Sequence, residues 1–252
     1  MIGLLVSHGS PTVLVGDLEW KKTLEKVGKE IRETYDPDVV VVFSPHFVSW
    51  TRDNLIEVGE RLKCIQDYYG FPRELYGFCY EAENDEELVG ELTSFLKPDD
   101  RWGLDHGAWI PLYFMFPDGV KKAVTVSISA KSHEEHYELG NRIAQAAEKL
   151  GRRPLFLATS SPTHRLDLFW LGVDVGETLF DSILKDLINE GRFEEIVKAY
   201  RVYEREFRKA MPEGELKTLD MLLGAVKPKE GRVIAYDTPW PGVSLMLAEF
   251  RR

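Results

Sequence analysis

A chain of 252 residues with 44% apolar and 29% charged residues can bury a sizeable core and is too apolar to stay disordered. Its formal net charge of −10 argues against a nucleic-acid or anionic-membrane partner, each of which wants a basic face. No apolar run approaches the roughly 18 residues of a membrane helix, no signal peptide follows Met1, and Cys64 and Cys79 lack CxxC spacing, which together predict a cytoplasmic protein with reduced thiols.

Ile2 to Val6 is an apolar run of strand length that breaks at Ser7-His8-Gly9-Ser10-Pro11, where a histidine sits among turn-forming residues. Glu19 to Tyr35 carries Leu24, Val27 and Ile31 at helical spacing and reads as an amphipathic helix closed by Asp36-Pro37. Val39 to Phe43 is a continuous β-branched run, the pattern of a parallel strand buried on both faces. The strand, helix, strand order predicts a βαβ unit whose two strands lie close together with their C-terminal ends on one edge. The second of these strands delivers Ser44-Pro45-His46-Phe47.

Residues 48 to 82 are rich in aromatics and turns and read as an excursion over the sheet edge. A helix is expected from Asn84 to Leu96, and Asp105-His106-Gly107 opens another mostly apolar helical segment. Ala123 to Ile128 is a third strand, and Ser132 to Leu150 a helix with a capping-box start. Within it His133 and His136 are expected to cover the first turn and face solvent. Pro154 to Ala158 is a fourth strand, ending in Thr159-Ser160-Ser161-Pro162-Thr163-His164. Helices follow over Gly176 to Asn189, Phe193 to Met211 and Glu215 to Val226. Arg232 to Tyr236 and Val243 to Phe250 close the chain as strands. No repeat, low-complexity tract or linker divides it, so residues 1–252 read as a single α/β domain with a mostly parallel central sheet flanked by helices.

Four of the six histidines, His8, His46, His106 and His164, follow a strand end or a Gly-bounded turn. Ligands of open parallel α/β sheets bind outside the carboxyl ends of the strands, so histidines placed there by separate strands can meet. The pattern predicts a metal or acid–base site. A further ligand is sought in the acidic segment Glu213 to Asp220. Glu215, Leu219, Leu222 and Val226 share one helical face, and a carboxylate on an apolar stripe is costly unless paired or bound to a cation. Asp220 lies partly on the same side and is its rival.

The segments Ser7-His8-Gly9-Ser10-Pro11, Ser44-Pro45-His46-Phe47, Asp105-His106-Gly107-Ala108-Trp109-Ile110-Pro111-Leu112 and Ser160 to His164 resemble, in this order and spacing, those of the class III extradiol ring-cleavage dioxygenases. The resemblance spans nearly the whole chain. It implies non-haem Fe2+ held by His8, His46 and a carboxylate, with His164 as catalytic base and His106 at the substrate as acid or hydrogen-bond donor. The substrate would be a small aromatic diol, cleaved with O2. Glu213-Gly214-Glu215 followed by Gly224-Ala225 resembles the family's carboxylate segment and favours Glu215 as the third ligand. DOPA-type members use a histidine near the C-terminus instead; the Asp237 to Gly242 stretch holds none, a departure that weakens Zn2+ as the native metal but leaves it an alternative to Fe2+. Thr159-Ser160-Ser161-Pro162 also departs from the Gly-rich approach expected before His164.

Two other readings keep parts of this pattern. One is a non-enzymatic, peptide-binding interaction protein of the same fold. The other is a tetrapyrrole metal chelatase, which would need neither His106 nor a carboxylate at 215. The sequence allows a homo-oligomer but does not specify one.

Overall fold

The computed structural model describes residues 1–252. An eight-stranded sheet is built from β1 (Ile2–Val6), β2 (Val39–Val48), β3 (Leu55–Glu57), β6 (Lys97–Asp99), β7 (Ala123–Ile128), β8 (Pro154–Ala158), β9 (Glu230–Trp240) and β10 (Val243–Arg251), and a two-stranded ribbon from β4 (Arg61–Leu62) and β5 (Ala82–Glu83). The sheet order is β6-β3-β7-β2-β8-β1-β10-β9. Its centre, β7-β2-β8-β1, is parallel throughout. β10 and β9 add antiparallel pairs at one edge, and β3 pairs antiparallel with β7 at the other.

The helices are α1 (Glu19–Thr34), α2 (Glu86–Leu92), α3 (His106–Met115), α4 (His133–Lys149), α5 (Leu166–Leu171), α6 (Leu179–Asn189), α7 (Phe193–Val197), α8 (Ala199–Val202), α9 (Glu204–Ala210) and α10 (Lys217–Val226). They cover both faces of the sheet. Val39, Val41 and Phe43 point into a core shared with α4 and α10, while Val40 and Val42 point into a second core shared with α1 and α3. That is why the β2 run has no polar alternation: both faces are dry. No helix is long and apolar enough to cross a membrane.

Four local expectations change. β1 and β2 do not adjoin, because β8 inserts between them and pairs parallel with each. The excursion after β2 is partly absorbed into the sheet through β3. The stretch from Phe193 to Met211 breaks into three short helices instead of one. Cys64 and Cys79, expected to be reduced, form a disulfide that ties the excursion to itself.

Candidate active site

His8 follows β1 directly, and the turn behind it requires glycine. Gly9 has φ +72°, and a Cβ there would lie 2.6 Å from the Trp240 ring. Ser7 fixes the turn against the neighbouring strand-ends: its hydroxyl donates to the Ser160 carbonyl at 2.8 Å and accepts from Met246 N–H at 3.0 Å. His46 lies within β2 rather than past its end. The β2–β7 register slips between Ser44 and Val48, and this bulge at Pro45-His46-Phe47 re-aims the imidazole. His106 is the first residue of α3, whose cap Asp105 accepts from Ala108 N–H at 3.0 Å and from the Ser44 hydroxyl at 2.5 Å. His164 is held on the β8 side by its own N–H, which donates to the Ala210 carbonyl.

These four histidines converge. The rings of His8, His46 and His106 contact one another edge to face, with centroids 4.2 to 5.1 Å apart. One nitrogen from each can be chosen so that all lie within 4.8 Å of one another. The carboxylate that joins them is Glu213. Its Oε1 is 3.4 Å from His8 Nε2, 3.1 Å from His46 Nε2 and 3.5 Å from His164 Nε2.

Glu215, the expected third ligand, is elsewhere: its side chain is 62% exposed and pairs with Lys217 at 2.8 Å. The reason is local backbone geometry. Sharing a face with Leu219 requires a helix from Glu215, but α10 starts at Lys217, and Gly214, Glu215 and Leu216 are all left-handed, with φ 56–57°. That reversal turns Glu213 toward the histidines and Glu215 away. Two non-glycine residues in this region carry strain of about 1–3 kcal/mol each, a cost typical of functional segments. Pro212-Glu213-Gly214 was the available warning, since proline and glycine argue against a continuous helix there. Asp220, the rival, pairs with His133 at 2.6 Å in a separate buried cluster, where burial pushes its carboxyl up to about 7. His133 and His136 are both buried, contrary to expectation.

Glu213 is anchored by the very segment that departs from a Gly-rich approach. Ser161 N–H donates to its Oε2 at 3.0 Å, and Glu213 N–H donates to the Ser161 carbonyl at 3.0 Å. Burial works to raise its pKa, but His8, His164 and His46 outweigh that and hold it well below the usual carboxylate range. Burial pulls His8 down to about 3 against the opposing pull of Glu213, so this imidazole is neutral. His8 Nδ1 is buried without a hydrogen-bond partner.

Asp67, which sequence reasoning missed, completes the constellation from the disulfide-closed excursion. Its Oδ2 accepts from His46 Nδ1 at 2.6 Å, and its Oδ1 accepts from His106 Nδ1 at 2.7 Å and His106 N–H at 2.8 Å. Burial works to raise its pKa, but the bonds from His106 and His46 win and keep it ionised. No local pattern marks Asp67, because its partners lie 21 and 39 residues away.

The residues frame a cavity of about 230 Å³, walled by Tyr68, Phe71, Leu166, Phe169, Trp170 and Val243. Its aromatic walls are Tyr68, Phe71, Phe169 and Trp170. Trp109 is core, while Trp50 and Tyr69 are largely exposed and do not line it.

The imidazoles and carboxylate gather beyond the strand ends of a parallel α/β sheet, where folds of this class bind their ligands, and their donor set could hold a metal ion. Over residues 3–247 the chain matches the family described as the catalytic LigB subunit of aromatic ring-opening dioxygenase. It is 29% identical over 211 residues to a 4,5-DOPA dioxygenase extradiol of Beta vulgaris, covering 77% of this chain and 75% of that one. It is 32% identical over 151 residues to a 4,5-DOPA dioxygenase extradiol of Escherichia coli K12, covering 57% of this chain and 54% of that one. The crystal structure of the uncharacterized protein JW3007 from Escherichia coli K12 shares the fold, with a TM-score of 0.61 at 21% identity over 99% of both chains. The chain belongs to the LigB family, and by class it is an extradiol ring-cleavage dioxygenase.

Proposed function

We propose that this enzyme holds Fe2+ through His8, His46 and Glu213 and cleaves the ring of a catechol-type diol with O2. The observation that carries this reading is the meeting of three Nε2 atoms on one buried Glu213 oxygen beside an aromatic-walled cavity. The donor set fits a divalent cation. Burial holds His8 neutral, as a ligand must be; Asp67 and Glu213 outweigh burial and hold His46 protonated in the metal-free protein, so a cation there would displace the Nε2 proton while Asp67 keeps the Nδ1–H.

Two histidines and a carboxylate leave coordination positions open, and ferrous iron bound there supplies the oxygen chemistry. The protein's own groups do the rest. His164, on the cavity wall and partly exposed, is placed to take a phenolic proton from a diol seated against Glu213. His106 has its Nδ1 committed to Asp67, so Nε2 is the nitrogen it offers to substrate. The apolar walls orient a planar ring and exclude water. A cavity of this size suits a small molecule rather than a peptide, which counts against the interaction-protein reading. The meeting of Glu213 and His106 at one site counts against the chelatase reading, which needs neither.

Loaded anaerobically with Fe(II) and then given a catechol under air, the protein is expected to form a yellow ring-opened product. His164→Ala should lower the rate by about 10²–10⁴. Glu213→Ala should lose both metal and turnover, and Glu215→Ala should keep both. Retention of iron and activity by Glu213→Ala would sink the ligand assignment. Zn2+ in place of Fe2+ is the comparison ion and should give no product.

A further inference from the structure

We infer that the substrate carries no carboxylate: it is an uncharged diol bearing an apolar substituent. This rests on the ring-cleavage reading above and goes beyond it by naming the substituent the cavity accepts. No lysine or arginine lines the cavity. Arg165, next to His164, spends its guanidinium on Asp167 at 2.8 and 2.6 Å and on the Lys209 carbonyl at 3.0 Å. Arg208, in a separate cavity beyond Glu213, pairs with Glu204 at 2.8 Å.

Two backbone amides at the site are committed as well. The N-terminus of α3 opens toward the site, but its first amide, His106 N–H, already donates to Asp67. Ser161 N–H already donates to Glu213. An incoming carboxylate would therefore find no lysine or arginine side chain in the cavity to replace its water.

What faces the substituent is instead apolar. Leu166, Phe169 and Trp170 from α5 line the cavity together with Tyr68, Phe71 and Val243. No residue of α5 is buried, and Trp170 is 70% exposed, so this short helix presents Leu166, Phe169 and Trp170 to the cavity rather than to the core. Desolvating such a surface favours an alkyl or aryl group and gives a charged one nothing.

The test compares 4-tert-butylcatechol with protocatechuate and DOPA as substrates of the Fe(II)-loaded enzyme. In parallel, calorimetry measures binding of the unreactive monophenols 4-tert-butylphenol and 4-hydroxybenzoate. We expect kcat/KM for the alkylcatechol to exceed those of the two carboxylated diols by at least about tenfold, with the same order among the phenols. Leu166→Arg, at a half-exposed position, should raise protocatechuate kcat/KM about tenfold and lower that of the alkylcatechol. Equal or better use of protocatechuate or DOPA by the wild type, or tighter binding of 4-hydroxybenzoate, overturns the inference. If no diol is turned over but the phenol preference holds, the ring-cleavage reading falls while the cavity's preference for uncharged ligands stands.

Discussion

Asp67 and His46 are joined by a 2.6 Å hydrogen bond in which Nδ1–H donates to Oδ2, and the other carboxylate oxygen binds His106 in the same way. One side chain thus sets the tautomer and ring orientation of both a candidate ligand and a candidate substrate-facing histidine. Asp67→Asn keeps the shape but can offer only one oxygen, and its amide opposes the second Nδ1–H. We expect it to bind Fe(II) about 10–100-fold more weakly in a competition titration against a chromophoric chelator. Unchanged metal affinity in a folded Asp67→Asn protein would show that the carboxylate does not position His46.

The disulfide between Cys64 and Cys79 closes a loop with a sequence separation of 15 around Asp67. Closure of a loop this size restricts the unfolded chain by about 3 kcal/mol. The double variant Cys64→Ser, Cys79→Ser should lose about that much in denaturant unfolding. Thiol titration of the unfolded, unreduced wild type should find no free thiol. Two titratable thiols would restore the reduced state expected from the sequence.

His136 makes the fold acid-sensitive. Its Nδ1–H donates to the Ser132 carbonyl and its Nε2 accepts from Ser129 N–H, an arrangement that satisfies the neutral ring and has no place for a second proton. Burial, the largest cause, pulls its pKa down from 6.5 to about 4. The unfolded chain takes up a proton near pH 6.5 while the folded chain refuses it until about pH 4. The contribution is therefore complete above pH 6.5 and lost as pH falls toward 4, about 3 kcal/mol in all. His8, pulled down to about 3, acts in the same direction, and Asp220, pushed up to about 7, offsets one of the two. In metal-free protein, unfolding free energy should fall between pH 6.5 and 4, and His136→Gln should flatten that slope without abolishing it. A variant slope equal to the wild type's would remove His136 from the account.

The elements that were legible in the sequence are those whose cause is local. Val39 to Phe43 announces a doubly buried strand, and the histidines at 8, 46, 106 and 164 announce a shared site because strands of a parallel sheet end on one edge. The candidate ligand carboxylate was not legible from helical periodicity, because Gly214, Glu215 and Leu216 abandon the helix just where that periodicity would begin. Asp67 was not legible because its role exists only once the excursion folds back over β2 and α3. The disulfide was hidden for the same reason: Cys64 and Cys79 carry no motif, and only the turn between them makes them neighbours.

The central claim is that this cavity carries out oxygen-dependent ring opening. The most direct measurement is a reaction of the Fe(II)-loaded protein with 4-tert-butylcatechol under oxygen-18 gas, followed by mass spectrometry of the product. The account predicts a ring-opened product carrying both atoms of one O2, formed with one O2 consumed per diol. Recovery of an unlabelled quinone or intact diol, with iron verified in the protein, would contradict it.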